Sequence, residues 1–281
     1  MFILLIFFYI ILMNTIKNII ISGGGAKCFS FIGILQSICF DSVTSLTGVS
    51  SGSLITYLLS IGYTPNELEE LALNLELSEL MGFPSIDNIL DKLSISDNIQ
   101  LKIILQTLTN YKLKYEDITF KQHFELTNIY INIGVTCLTT ASYQIFNKDK
   151  TPEFNIIDIV LASCAIPGIF PPIKIYNKYY CDGGIFNNFP MHIYDNQLEN
   201  TVGILFEKKK TDQFNNIFEY IAYAYMLPSN SKQLLQFQKY KDHIIILKDN
   251  NLPLVQFSLK KENIQFLINY GKNKDNYLFI T

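Results

Sequence analysis

The sequence predicts an α/β domain built on a largely parallel sheet. Three observations carry this prediction. Short apolar, β-rich runs alternate with longer runs of helical spacing, the first such run leads directly into a glycine-rich turn and a helix, and no repeat or linker divides the chain. This alternation is typical of β-α-β units, whose strands run parallel. A length of 281 residues with 49% hydrophobic residues is sufficient for one large core.

The elements follow from hydrophobic periodicity. Strands are predicted over residues 18–22, 43–47, 129–136, 142–146, 201–205 and 243–247. Helices are predicted over residues 26–40, 50–61, 156–164, 214–240 with an interruption near Pro228, and 259–270 with Ser258 as N-cap and Gly271 as C-cap. The run Thr64-Pro65-Asn66-Glu67 predicts another helix start, because it combines an N-cap residue, a proline at the first helical position and a capping-box glutamate.

Residues 80–115 are predicted to be mostly helical and include an amphipathic stretch from Ile99 to Leu108. Two interpretations remain open for this stretch. Its apolar residues form a lid that faces a membrane, or they cover the core of the domain. The residues in question are Leu101, Ile103, Ile104 and Leu105.

Composition and charge exclude several functions. The formal net charge is -3, and every one of the 22 basic residues is a lysine. A nucleic-acid partner is not expected, because a basic surplus is needed to neutralise phosphates. The five cysteines are odd in number and form no C-x-x-C pair, which predicts free thiols in a reducing compartment and neither zinc nor a disulfide framework.

Residues 1–17 are set apart from a domain that spans residues 18–281. Residues 2–13 form an unbroken apolar run that is shorter than the roughly 20 residues needed to span a bilayer. The run also lacks the charged start and the cleavage site of a signal peptide. Three interpretations compete: translation starting at Met13, a membrane-associating tail, and an unusual signal-anchor.

Gly48-Val49-Ser50-Ser51-Gly52 is a G-x-S-x-G motif between a predicted strand and a predicted helix. A nucleophilic serine needs such a sharp turn, and flanking glycines remove the Cβ atoms that would clash there. The following helix directs its free N–H groups towards a reacting carbonyl. Ser50 is therefore the candidate nucleophile. The alternative is a serine-rich turn that only caps a helix.

Gly23-Gly24-Gly25-Ala26-Lys27 also lies between a strand and a helix. Consecutive glycines expose backbone N–H donors that bind anions. Neither the Walker pattern nor the dinucleotide pattern fits, because no Gly-Lys-Ser/Thr occurs and the last dinucleotide position is Cys28. An oxyanion hole for Ser50 suits the loop better. Parallel neighbouring strands would bring both turns to one sheet edge.

The base for Ser50 stays open at this point. His192 or His243 with Asp182 would give a Ser-Asp-His order, although these histidines and His123 are more readily explained as structural residues. Asp182 follows a β-rich run and precedes two glycines, so it could contact the serine directly as a base. The alternative for Asp182 is an Asp-Gly hairpin turn.

Taken together, these motifs resemble those of the patatin-like phospholipases. The family pattern is a G-G-G-x-[RK]-G loop, a G-x-S-x-G serine and a D-G-[GA] motif, matched here by residues 23–27, residues 48–52 and Asp182-Gly183-Gly184. Three further segments are similar to the family, namely residues 162–172, Asn187-Asn188-Phe189-Pro190 and Ile118-Thr119-Phe120. The family's glycine after the basic residue is replaced by Cys28, which would be strained if a positive φ were required and harmless inside a helix.

The resemblance implies a three-layer α/β/α sandwich with a mainly parallel central sheet. It also implies a Ser50–Asp182 dyad without histidine and an oxyanion hole at residues 23–27. The expected substrates are phospholipids or lysophospholipids, cleaved through an acyl-enzyme with no cofactor and no metal. We expect an intracellular enzyme peripheral to membranes. The alternatives are an esterase with a Ser-Asp-His triad, an inactive lipid-binding module and a nucleotide-binding protein using residues 23–27.

Overall fold

A computed structural model describes residues 16–74, 93–207, 214, 217–249 and 259–278. Its strands are β1 (Asn18–Ile21), β2 (Ser45–Val49), β3 (Tyr130–Cys137), β4 (Ser142–Phe146), β5 (Ile173–Ile175), β6 (Lys178–Asp182), β7 (Thr201–Phe206), β8 (Ile244–Leu247) and β9 (Tyr277–Leu278). Its helices are α1 (Phe29–Leu35), α2 (Ser51–Ser60), α3 (Pro65–Asn74), α4 (Ile99–Leu113), α5 (Phe120–Thr127), α6 (Ile156–Ser163), α7 (Ile217–Tyr240) and α8 (Lys261–Lys272).

The strands form one sheet in the order β5-β6-β3-β2-β1-β7-β8-β9, and β4 pairs with β3 outside this order. The central pairs β3–β2, β2–β1, β1–β7 and β7–β8 are parallel, whereas the outer pairs are antiparallel. The predicted α/β architecture with a mainly parallel central sheet is therefore confirmed. The carboxyl ends of β1 and β2 lie side by side, as expected for the two glycine turns.

Alternate residues of β1 enter two different cores. Ile19 and Ile21 pack with α1 and α8 on one face of the sheet, and Ile20 packs with Phe189 and Tyr240 on the other face. All four residues of β1 are buried, which explains the uninterrupted run of three isoleucines after Asn18. Helices on both faces complete the three layers.

Strand β3 brings the ends of β2 and β6 together. Its residues 133–137 pair with β4, while residues 130–134 pair with β2 and residues 135–137 pair with β6. A strand has only two edges, so β2 and β6 must share the edge opposite β4. In this register Gly134 faces Val49 and Val135 faces Asp182, so the two strands meet end to end.

Capping residues in the sequence predicted one helix end correctly and another wrongly. Helix α3 begins as predicted, because Thr64 and Glu67 exchange hydrogen bonds of 2.7 and 3.2 Å across the first turn. The C-terminal prediction at Gly271 is wrong. Gly271 lies inside α8, where its missing Cβ lets the helix pack against the carbonyl group of Ser30 on α1. The predicted N-cap Ser258 lies outside the described residues.

Most other predicted elements are shifted by only one to three residues, and three differences have a physical reason. The second strand is Ser45–Val49, two positions later than predicted, because pairing with β1 and β3 holds it to its end. The first helix is a 3-10 turn over Gly25–Cys28 followed by α1, which ends at Leu35. Helix α7 continues through Pro228, since a proline removes one helical hydrogen bond without separating the packed turns around it.

Two predictions concern membrane contact by chain segments. The apolar run over residues 2–13 lies outside the described residues, as do residues 80–92 of the predicted helical region. In the ranges that the structure does describe, no helix has both the length and the apolar character needed to cross a bilayer.

Candidate active site

Ser50 occupies a strained turn between β2 and α2. Its φ of 53° and ψ of -136° are rarely adopted by a residue with a side chain. A Cβ atom at Gly52 would meet the carbonyl oxygens of Ile21 and Ser22, and one at Gly48 would meet the backbone of α2. The two motif glycines therefore permit the close approach that presents Ser50 at the sheet edge.

Hydrogen bonds hold the backbone of Ser50 on both sides. Its N–H donates to Ser163 Oγ at 2.8 Å, and the Ser163 hydroxyl donates to the Gly134 carbonyl at 2.7 Å. Its carbonyl accepts from Ser53 Oγ at 2.6 Å and from Cys164 Sγ at 3.1 Å. Because all of these groups are buried, the strained turn is fixed by its surroundings.

Asp182 contacts Ser50 directly. The Ser50 hydroxyl donates to Asp182 Oδ2 at 2.6 Å, and the Gly184 N–H donates to Asp182 Oδ1 at 2.7 Å. A 3-10 turn over Gly183–Ile185 follows the aspartate, so the alternative of an Asp-Gly hairpin turn is wrong. The end-to-end meeting of β2 and β6 on the edge of β3 is what brings this carboxylate to the serine.

Burial controls the electrostatics of Asp182, whose side chain is 1% exposed. Loss of hydration raises the pKa of its carboxyl group from 3.8 to about 7, and the hydrogen bonds from Ser50 and Gly184 oppose part of this rise. A carboxylate with a pKa near neutrality can both accept and return a proton at physiological pH.

The first two glycines of the loop use their N–H groups internally. The Gly23 N–H donates to Asn188 Oδ1 at 3.0 Å, and Asn188 Nδ2 donates back to the Gly23 carbonyl at 3.0 Å. The Gly24 N–H donates to Ser51 Oγ at 3.0 Å. These two amides therefore brace the loop and are not directed at a ligand.

The next two amides are placed differently. Gly25, with φ of 52°, and Ala26 line the same space as Ser50, and their N–H groups have no hydrogen-bond acceptor in the part of the chain that the structure describes. The Lys27 ammonium is buried and pairs with Asp249. Cys28 has φ of -57° and ψ of -22°, so it lies in helical geometry without strain.

An apolar cavity of about 220 Å³ extends from Ser50 between the helices on one face of the sheet. It is lined chiefly by side chains of α2 (Ser51, Leu54, Ile55, Leu58), α3 (Leu68, Leu71, Ala72) and α4 (Leu101, Ile104, Leu105, Leu108). Leu101 and Leu105 are buried and Ile104 lines the cavity, whereas Ile103 is 48% exposed. The amphipathic stretch thus turns most of its apolar face inward.

The histidines occupy other places in the fold. His123 is buried on α5 and shares a hydrogen bond of 2.8 Å with Ser60 Oγ, and burial lowers its pKa to about 4. His192 and His243 lie in short 3-10 turns over Met191–Tyr194 and Lys241–His243. Among the described residues, no cluster of three or more His, Cys, Asp or Glu side chains could hold a metal ion.

Sequence reasoning gave no role to several residues that complete the site. Asn188 and Ser163 brace the glycine loop and the serine, and Tyr225 and Met226 of α7 line a small space above Ser50 and Asp182. The signal for the first two was present, since both fall in segments that resemble the family. No local pattern marked the α7 residues, which are distant in sequence.

The fold and the site define the class: an α/β ester hydrolase with an apolar cavity beside its serine. The sequence pattern of the patatin-like phospholipases matches residues 19–195. The chain belongs to this family, which supports lipid acyl hydrolase activity. A "Probable lipid hydrolase 463L" of Invertebrate iridescent virus 6 is 30% identical over 270 residues, covering 92% of this chain and 87% of that protein.

More distant similarities extend in two directions. "Triacylglycerol lipase 4" of Saccharomyces cerevisiae is 27% identical over 187 residues, which are 60% of this chain and 20% of that protein. VipD from Legionella pneumophila has a TM-score of 0.63 at 16% identity, covering 93% of this chain and 66% of that chain. ExoU of Pseudomonas aeruginosa, in its complex with SpcU, has a TM-score of 0.56 at 16% identity, covering 92% and 50%. The two structures show the fold alone.

Proposed function

We propose that the protein hydrolyses fatty-acyl esters of phospholipids or lysophospholipids with a Ser50–Asp182 dyad. The hydrogen bond of 2.6 Å between Ser50 Oγ and the buried Asp182 carboxylate carries this proposal. The apolar cavity that starts at Ser50 supports a long-chain acyl group as the part of the substrate that is bound. Family membership supports the lipid class.

In the proposed cycle, Asp182 accepts the hydroxyl proton while Ser50 Oγ attacks the ester carbonyl carbon. The resulting oxyanion is stabilised by backbone N–H donors, and the alcohol leaves with the proton from Asp182. Asp182 then accepts a proton from water, whose oxygen attacks the acyl-enzyme. The fatty acid is released and Ser50 regains its proton.

We assign the oxyanion hole to the amides of Gly25 and Ala26. The sequence predicted an oxyanion hole at residues 23–27, and we limit it to two amides because the N–H groups of Gly23 and Gly24 already donate to Asn188 and Ser51. Lys27 has a different role in this proposal: its ion pair with Asp249 ties the loop to the residues that follow β8. Two preorganised backbone N–H donors are enough to stabilise the oxyanion that develops during acyl transfer.

The direct contact favours the dyad over a histidine triad. In a triad the imidazole stands between the serine hydroxyl and the carboxylate. A distance of 2.6 Å between Ser50 Oγ and Asp182 Oδ2 leaves no space for such a ring. Replacing His192 or His243 by alanine should therefore preserve acylation of Ser50, and its collapse in either variant would favour the triad.

Labelling with a fluorophosphonate lipid analogue tests the function, and hydrolysis of an acyl ester is measured in parallel. The wild type should be labelled, and Ser50→Ala should show neither labelling nor turnover. The matched control is Ser37→Ala, which removes the hydroxyl of an exposed serine just beyond α1. Labelling that persists in Ser50→Ala would refute Ser50 as the nucleophile, and an unlabelled wild type would favour the lipid-binding module.

We further propose an intracellular location peripheral to membranes. Four of the five cysteines are buried and all five are free, which suits a reducing compartment. With a net charge of -3, contact with a bilayer would depend on apolar surface. Cell fractionation tests this directly, and recovery of the protein outside the cell or resistance to carbonate extraction would contradict it.

A further inference from the structure

The apolar cavity follows helix α2 away from the catalytic serine. Ser51, Leu54, Ile55 and Leu58 line it on successive turns. Leu58 is eight positions beyond Ser50, and at about 1.5 Å per helical residue this places it ~12 Å along the helix axis. Along α2 the cavity therefore extends ~12 Å from the reacting hydroxyl, and we call this stretch the slot.

Helices α2 and α4 approach each other at the far end of this slot. The Tyr57 hydroxyl lies 2.7 Å from Thr109 Oγ1, and the Tyr63 hydroxyl donates to the Leu108 carbonyl at 3.1 Å. Tyr57 and Thr109 are both fully buried. The first contact joins α2 to α4 next to Leu58, and the second joins α4 to the segment that follows α2, so an acyl chain would have to break these hydrogen bonds to separate the two helices.

Three leucines from three helices line the cavity near these contacts. Leu58 belongs to α2, Leu68 to α3 and Leu108 to α4, and all of them line the cavity. Leu68 is anchored near the start of α3, where Lys112 of α4 forms an ion pair of 2.7 Å with Glu67. We call these three leucines the cavity floor.

We propose that the cavity floor limits the acyl chain to medium length, so that the preferred substrates are medium-chain fatty-acyl esters. This inference rests on the proposed function. An all-trans chain with bonds of about 1.5 Å advances ~1.25 Å per carbon, so a depth of ~12 Å accommodates about ten carbons. Longer chains must bend back or leave their last carbons outside the slot.

We expect kcat/KM to rise with the length of the acyl chain until the chain reaches the cavity floor. Each methylene group transferred from water into the slot contributes to binding of the transition state, and the increase is up to about fourfold per methylene. Carbons beyond the floor bury no further surface in the slot. The profile should therefore rise to decanoyl esters and then level or fall.

The test uses p-nitrophenyl esters from butyryl to palmitoyl, with Leu108→Ala and Leu113→Ala compared. Leu108→Ala shortens a floor side chain and should move the maximum to dodecanoyl or longer. Leu113→Ala makes the same change on the same helix, at a partly buried position that does not line the cavity, and should keep the maximum at decanoyl.

Leu58→Phe provides a second, opposite variant. The larger ring fills the far end of the slot, and the maximum should move to octanoyl or shorter; Leu58 is only partly buried, which favours folding of this variant. An unchanged maximum in both floor variants, or palmitoyl as the best wild-type substrate, overturns the length limit. Absence of Ser50-dependent turnover with every ester overturns the proposed function itself.

Discussion

Strand β2 carries two buried polar clusters, one in its middle and one just beyond its end. In the middle, the Tyr194 hydroxyl lies 2.6 Å from Ser45 Oγ and 2.8 Å from Thr47 Oγ1, and Asn132 Nδ2 donates to it at 3.2 Å. We call these four residues the strand cluster. Beyond the end, Ser50 and Asp182 form a pair in which one member is a carboxylate.

The clusters differ in charge and in backbone strain. The strand cluster is neutral, and its members Ser45, Thr47 and Asn132 lie on regular paired strands. Its buried polar groups are hydrogen-bonded to one another and to Asn147. The Ser50–Asp182 pair combines a positive φ at the serine with a carboxylate whose pKa burial raises to about 7. Buried polar groups that are fully satisfied stabilise a fold, whereas strain and raised pKa values are typical of functional sites.

Asp182→Asn should have the largest effect on turnover. The amide keeps the shape of the side chain but cannot accept the Ser50 proton, so kcat should fall about 10²–10⁴-fold. Removal of a carboxylate from a buried site should leave the free energy of unfolding at neutral pH unchanged or higher. Turnover and chemical denaturation measure both. Activity within a factor of about two of the wild type would mean that another group is the base.

The pH profile should be the next largest effect. Since Asp182 must be unprotonated to act as a base, kcat/KM should fall about tenfold per pH unit below pH 7. Stability changes in the opposite direction. The pKa of Asp182 in the folded state exceeds the unfolded value of 3.8, so the protonated side chain favours the folded state. This contribution to the free energy of unfolding is complete below about pH 4 and is lost as the pH rises to about 7.

Asp182→Asn supplies the control for this pH dependence. The part of the unfolding free energy that decreases between pH 4 and pH 7 in the wild type should be absent in the variant, as measured by denaturation at a series of pH values. A kcat/KM that is flat across this range in the wild type would contradict the assignment of Asp182 as the base.

Ser163→Ala should have an intermediate effect. It removes the acceptor for the Ser50 N–H, so the strained turn can relax and the hydroxyl loses its alignment with Asp182. We expect kcat to fall about tenfold with little change in KM, because positioning is lost and the cavity is intact. Steady-state kinetics on a medium-chain ester measures this. A rise in KM alone would indicate a binding role instead.

Tyr194→Phe should have the smallest effect on turnover and a clear effect on stability. It leaves Ser45, Thr47 and Asn132 without their shared partner, which should lower the free energy of unfolding by about 1–3 kcal/mol. The Ser50–Asp182 pair keeps its own contacts, so kcat should be unchanged. Denaturation and kinetics on the same sample check both. A large loss of kcat would show that the two clusters are coupled.

Local signals in the sequence predicted the parts of the site that depend on a few neighbouring residues. The G-x-S-x-G spacing predicted the turn at Ser50, and the capping box at Thr64 predicted the start of α3. The same reasoning failed at Gly271, which looks like a helix terminator in the sequence. The missing Cβ of Gly271 lets α1 pack closely against α8. A contact between two helices that are distant in sequence cannot be recognised from the residues around Gly271.

The sequence alone determined which chemical groups are available and in what order: two glycine turns after buried strands, a serine and a later aspartate. Only the tertiary structure decided which of them meet. Ser50 and Asp182 are 132 positions apart, and they touch because β2 and β6 share one edge of β3. Likewise, Asn188 and Ser51 accept the hydrogen bonds of the Gly23 and Gly24 amides, so that the amides of Gly25 and Ala26 are the ones left to bind a ligand. Strand register and packing fix such contacts, because caps and turns act over only a few residues.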